Sequence, residues 1–282
     1  MRNYDHALTR QLLTGQQRPE SSLLEFLATD DIYSIKDDFD RGFDTDFWGT
    51  FSTRGVGFEG DSRFEDADDP HGWIVGNLDG SDEDAVWLWS PQLFSPRKRP
   101  AVMARIRLGN TSNVKYEFGL GVPMVNPEDT TVDGFVNVKD TPTSNTPFAG
   151  NYAVICYDSD DDTSIDLVGQ SRGTTTRQAR SGGPTVGVEF TLMLAMNEHG
   201  GVVSWVDGQR AASLELQPFQ STAAFGTMAD KQTAAQGRTI QDIRHGTEER
   251  IGLWVFCQNR AANSNHSMSI DYVQAWEERR VP

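Results

Sequence analysis

The sequence predicts an all-β chain, two antiparallel sheets stacked as a sandwich, behind a short and partly helical N-terminal arm. Two observations carry this. Four long runs alternate large apolar residues with polar or small ones at a period of two. The breaks between them are rich in Gly, Asp, Asn and Pro, while helical periodicity is scarce after residue 35.

The elements follow in chain order. Residues 1–34 form the expected docking arm and 35–282 the sandwich domain. In the arm, Ser22-Leu23-Leu24-Glu25 has the spacing of a capping box, with Ser22 as N-cap and Glu25 reaching back to it. Leu23, Leu24, Phe26 and Leu27 then give a short amphipathic helix suited to docking, on its own sandwich or on a neighbouring subunit. An earlier turn is expected near His6 to Leu13. The strands are read from Val102, Ala104, Ile106 and Leu108; from Val114, Tyr116, Phe118 and Leu120; from Val188, Phe190, Leu192, Leu194 and Met196; and from Ile251, Leu253, Val255 and Cys257. In each, the intervening residues belong to a second face. Asp207-Gly208 predicts a tight hairpin, because Gly tolerates positive φ and Asp bonds its own backbone. A turn or two of helix is expected within Ala223 to Ile243.

Three stretches resemble a known family. Asp37-Asp38-Phe39-Asp40 followed by Asp46-Phe47-Trp48 is similar to the opening strand of laminarinase-like and laminin-G-like jelly rolls. Phe190–Met196, Gly201–Trp205 and Val206-Asp207-Gly208-Gln209 resemble their back-sheet hairpin. Ile251–Cys257 with Ser269-Ile270-Asp271-Tyr272-Val273 resembles their closing pair of strands. The resemblance implies a concanavalin-A-like jelly-roll sandwich over about residues 35–276, with ligands on a concave face. These motifs are structural and carry no activity by themselves.

Charge narrows the partners. The net charge is −16, and residues 30–84 alone hold 17 acidic against 4 basic residues. Such a field repels nucleic-acid phosphates and anionic membranes. The N-terminus has no apolar stretch resembling a signal peptide, and no run approaches a membrane span, so synthesis in the cytoplasm is expected. Cys156 and Cys257 sit in apolar runs without metal-ligand spacing, which favours buried free thiols over a disulfide.

The search for chemistry yields few candidates. Glycosidases need two carboxylates on one face. Glu59, Asp61 and Glu65 share a parity, but their spacing departs from the family pattern, and a solvated acidic loop is the simpler reading. Glu117 lies on a good strand without a local acidic partner; a salt bridge to Arg105 or Arg107 is expected. His6, His71, His199, His245 and His266 fall in loop or arm contexts, leaving no general base to name. Asp79, Asp82 and Asp84, or the loop Asp158 to Asp162, have the oxygen density that calcium favours, though not an EF-hand pattern; otherwise no cofactor is expected. Trp87, Trp89, Tyr152, Trp254 and Phe256 suit either a sugar groove or core packing, with Arg105, Arg107 and Glu117 supplying hydrogen bonds if they share that face.

These features favour a non-enzymatic virion protein of a tailed bacteriophage, a capsid decoration or tail-associated sandwich. It would dock through its arm onto other virion proteins and form a homo-oligomer. A carbohydrate-binding module or adhesin is the alternative, and a glycoside hydrolase or polysaccharide lyase the third reading.

Overall fold

Each alternating run becomes a strand with one face on a shared apolar core. The computed structural model describes residues 32–40, 48–52, 64–66, 72–78, 82–123, 134–144, 149–180, 182–217, 219, 250–261 and 266–278. The arm with Leu23, Leu24, Phe26 and Leu27, the turn near His6, the stretch 223–243, and Glu59, Asp61, His71, Asp79 and His245 lie outside them.

In order the strands are β1 (Ile32–Asp37), β2 (Gly49–Ser52), β3 (Phe64–Asp66), β4 (Ile74–Asn77), β5 (Ala85–Trp89), β6 (Ala101–Leu108), β7 (Val114–Pro123), β8 (Val136–Val138) and β9 (Thr143–Ser144). They continue as β10 (Ala149–Asp158), β11 (Ile165–Ser171), β12 (Thr174–Ala179), β13 (Glu189–Met196), β14 (Gly201–Val206), β15 (Gln209–Glu215), β16 (Gly252–Asn259) and β17 (Ser267–Glu278). One sheet has eight strands, ordered β15-β14-β13-β6-β17-β4-β3, with β1 also on β17. The other has seven, ordered β12-β11-β10-β7-β16-β5-β2. Among the described residues β8 and β9 pair only with each other, as a separate two-stranded hairpin. The all-β sandwich is therefore as expected, although β1 starts at Ile32, upstream of the Ile35 boundary.

The inward set is the one the alternation selects. Ile106 and Leu108, Tyr116 and Phe118, Leu192 and Leu194, and Leu253 and Val255 all join one buried cluster between the sheets. Burying a side chain of this size contributes about 2 to 3 kcal/mol. Val188, read as the first inward residue of its strand, is instead 52% exposed, just before β13 begins. The closing strands β16 and β17 divide between the two sheets.

Local sequence fixes several joints. Asp207 (φ 51°) and Gly208 (φ 71°) turn β14 into β15, as a two-residue hairpin requires. Asp37 accepts the Trp48 indole N–H at 2.7 Å and the Phe39 amide at 2.9 Å, so the opening motif is a clasp that fixes the exit of β1. Asp271 is the extra residue where β17 shifts register against β6, and it pairs with Arg105 there. Cys156 and Cys257 are buried free thiols whose burial pushes both pKa values well up. Cys257 belongs to the inter-sheet core and Cys156 to the cluster on the opposite face of the same sheet. Among the described residues no helix is long and apolar enough to cross a membrane.

At one end of the central strands β13, β6 and β17 the sheet is held electrostatically. The Arg99 guanidinium binds Glu198 through Nε at 2.7 Å and Nη2 at 2.9 Å, and reaches Glu278 through Nη1 at 3.2 Å. The Arg99 hydrogen bond draws the Glu198 pKa down to about 2. A carboxylate with a depressed folded pKa stabilises the fold above its unfolded pKa, and that contribution is lost as pH falls through the folded one. Glu198→Gln is therefore expected to cost about 2 kcal/mol at pH 7. The deficit should shrink between pH 5 and about pH 2. Thermal melts across this range check it, and a constant deficit would contradict the assignment.

Candidate functional site

The outer face of the seven-stranded sheet concentrates the candidates. Register places Trp254 beside Trp89 on β5 and beside Gly119 on β7. One pair along, Phe256 lies between Trp87 and Glu117. On the other side of β7, Cys156 faces Glu117, and Tyr152 faces Gly121. Period-two alternation thus lines up Trp87, Phe256, Glu117 and Cys156 in one row across four strands.

Glu117 is wholly buried at the centre of that face. Its carboxylate accepts the Phe135 amide at 2.8 Å, the Val136 amide at 3.0 Å and the Trp254 indole N–H at 3.0 Å. Lys115, also wholly buried, stands 3.4 Å from it and donates to the Val136 carbonyl. The Lys115 ammonium lies 5.6 Å from the Phe256 ring centroid, within cation–π range.

A strap closes the face. Phe135 stacks on Tyr152 with centroids 5.1 Å apart and planes at 11°, and tilts against Trp254 at 4.7 Å. Gly121 leaves room for it: a Cβ there would come within 2.6 Å of the Phe135 ring. Gly134 has φ +79°, and a Cβ there would stand 2.4 Å from the Glu117 carboxylate. Both glycines are required, one for space and one for backbone conformation as well.

The expected common face of Arg105, Arg107 and Glu117 is split. Arg105 and Arg107 belong to β6 of the eight-stranded sheet, and Glu117 to β7 of the other. Arg105 pairs with Asp271 and, at 3.8 Å, with Glu189. Arg107 lies over the Trp73 ring at 4.8 Å. The expected salt bridge from Glu117 to either arginine is therefore corrected to Lys115. Even strand parity cannot tell which sheet a strand joins. Tyr152, Trp254 and Phe256 do converge with Glu117, but all are at most 1% exposed, so they line a covered face rather than an open groove. Trp89 is only partly buried beside them. Glu65 is on β3, exposed, and accepts from Asn77 at 3.4 Å.

The expected acidic cation sites fare differently. Asp82 is exposed and Asp84 buried. In the Asp158–Asp162 loop, Asp158 is bound by Arg260, and Asp162 by Lys139 and by Arg177 at 3.0 Å. Three carboxylates, Asp140, Asp162 and Asp166, offer oxygens within 4.8 Å of one another and could hold an ion. The wholly buried Lys139 ammonium lies 3.4 Å from Asp166, and Arg177 Nε lies 2.6 Å from the same carboxylate. Two protein cations, Lys139 and Arg177, thus offset part of the charge of this three-carboxylate set. Burial opposes ionisation of Asp162, but the Lys139 and Ser164 hydrogen bonds outweigh it and hold its pKa well below the usual range. Lys115, Phe135, Val136 and Lys139 carry no sequence motif; their roles follow from contacts across the fold.

No family model matches the sequence, and no curated protein does. Solved structures do match. The endo-β-1,3(4)-glucanase SCLam of family GH16 is 12% identical with a TM-score of 0.54, covering 89% of this chain and 93% of its own. The laminarinase catalytic domain of Thermotoga maritima is 13% identical with a TM-score of 0.51, covering 89% of this chain and all of its own. The carbohydrate recognition domain of Emp46p in its potassium-bound form is 13% identical with a TM-score of 0.50, covering 86% and 95%. The chain thus has the concanavalin-A-like lectin and glucanase fold, as the motifs implied. One expectation is corrected. The fold does not mark a non-enzyme, because endo-glucanases and laminarinases are among its strong structural neighbours. At this identity the likeness shows the fold alone.

Proposed function

We propose that this chain recognises glycans through the outer face of its seven-stranded sheet. The observation that carries the reading is Glu117 set among Trp87, Tyr152, Trp254 and Phe256 on one face. Aromatic faces stack on the C–H faces of pyranose rings, and a carboxylate accepts sugar hydroxyls in charge-assisted hydrogen bonds. The structural neighbours lend support, since their names join this sandwich to carbohydrate recognition and to glucan cleavage.

The test is affinity electrophoresis of the full chain on laminarin, mixed-linkage β-glucan and mucin, with release of reducing ends followed in parallel. Retardation on at least one polysaccharide is expected, and Glu117→Gln should abolish it with the far-ultraviolet circular dichroism unchanged. Release of reducing ends would extend recognition to hydrolysis. No retardation and no release on any of the three ends the reading.

A second reading, a bacteriophage virion component that docks through its arm, is favoured by the apolar segment Leu23, Leu24, Phe26 and Leu27 ahead of β1. Glycan recognition and attachment to a particle are compatible roles for one sandwich.

A further inference from the structure

The strap Gly134–Val138 occupies the face that the proposed function assigns to glycan, and this inference rests on that reading. We infer that the strap is an internal stand-in for the ligand, and that the face becomes available only when the strap lifts. It follows that the ligand is a pyranoside presenting two adjacent hydroxyl donors to Glu117 while its ring stacks on Tyr152.

Three observations point this way. First, the strap satisfies Glu117 in the manner of a ligand. Two consecutive backbone amides, Phe135 and Val136, donate to the two carboxylate oxygens at 2.8 and 3.0 Å. Two vicinal hydroxyls of a sugar make the same forked pattern. The near-parallel Phe135 ring, 5.1 Å from Tyr152, takes the place of a stacked pyranose.

Second, the covered surface is chemically unlike a core. The inter-sheet cluster is built from apolar side chains and the rings of Tyr116 and Tyr157, whose hydroxyls donate to the Asn110 and Thr111 carbonyls. The strap instead buries a Lys115–Glu117 ion pair beside the Tyr152 ring. Burying an ion pair costs several kcal/mol per ion in desolvation, and apolar residues of similar volume serve packing as well or better. A segment needed only for packing has no use for these groups, whereas a ligand with hydroxyls does.

Third, among the described residues the strap lies outside both large sheets, and the wholly buried Lys139 that follows it ties its end to Asp162 and Asp166. Among the described residues β8 pairs only with β9, and neither strand joins the ladder of either large sheet. Lifting Gly134–Val138 therefore breaks no inter-strand ladder of the sandwich. It breaks the bonds to Glu117 and Lys115 and the Phe135 ring contacts.

The experiment compares the full-length wild type with Phe135→Ala and Gly134→Ala by titration calorimetry against laminarin and mixed-linkage β-glucan. Hydrogen exchange is measured at the Phe135, Val136 and Glu117 amides of all three. Phe135→Ala removes the stacked ring. Gly134→Ala leaves the aromatic face intact but places a methyl group against Glu117 at a positive φ. When the binding-competent state is a minor population, apparent affinity falls by that fraction. Both variants are therefore expected to bind at least about tenfold tighter than wild type, with faster exchange at Phe135 and Val136 than at Glu117. Equal affinities for wild type and both variants overturn the strap while leaving the glycan reading intact. If no protein binds either glucan, hydrogen exchange decides. Strap amides exchanging as slowly as Glu117 in the wild type show a fixed cover and end the inference. Strap amides exchanging at least about a hundredfold faster uphold a lifting cover while the glucan assignment falls.

Discussion

Glu117→Ala is expected to destabilise the protein by about 4 kcal/mol, because it leaves the Lys115 ammonium buried without its carboxylate partner. The same change removes the acceptor of the Phe135 and Val136 amides and of the Trp254 indole. Each buried donor left unsatisfied adds about 1 to 3 kcal/mol before local relaxation or water recovers part of it. The sharper test is the pair. Replacing Lys115 and Glu117 together by Met and Leu should cost less than the sum of the single changes, since neither leaves a lone buried charge. Urea unfolding followed by tryptophan fluorescence measures all of these. A Glu117→Ala variant within about 1 kcal/mol of wild type would show that the carboxylate is not the anchor of the strap.

The second large effect is expected at Lys139. Its ammonium and the Asp166 carboxylate are both fully buried and 3.4 Å apart, with Asp162 against the same nitrogen. Lys139→Met leaves Asp162 and Asp166 facing each other with Arg177 as their shared cation, and should cost about 3 to 5 kcal/mol at neutral pH. The sign of its pH dependence is fixed. In the wild type the lowered Asp162 pKa makes this carboxylate stabilising above its unfolded value of about 4. Without Lys139 the folded pKa rises, and the advantage of ionisation disappears. The deficit of the variant should therefore be largest near pH 7 and shrink as pH falls through about 4. Adding Asp166→Asn should recover part of the loss. A deficit that grows on acidification would exclude this account.

The two lysines also show where sequence reading stops. Lys115 falls on the alternate face of a strand that faces outward, and outward reads as solvated wherever nothing is known to cover it. What covers it is Gly134–Val138, contributed by a segment outside both large sheets. Lys139 meets Asp162 and Asp166 across a gap of more than 20 residues that contains all of β10. Neither contact leaves a periodic or short-range signature. The acidic stretch Asp158–Asp162 was legible as a cluster of oxygens, but its partners, Arg260, Lys139 and Arg177, are supplied by other parts of the fold.

By itself the sequence determined what depends on neighbours two residues apart. Alternation fixed the inner faces of β6, β7 and β16, and Asp207-Gly208 fixed one hairpin. Tertiary structure alone decided that Arg105 and Arg107 lie in a different sheet from Glu117, and that the aromatic face beside Glu117 is covered. The physical reason is range. Strand parity is set by the backbone of one segment, whereas sheet membership and burial of an outer face depend on which distant segment pairs with it or lies across it.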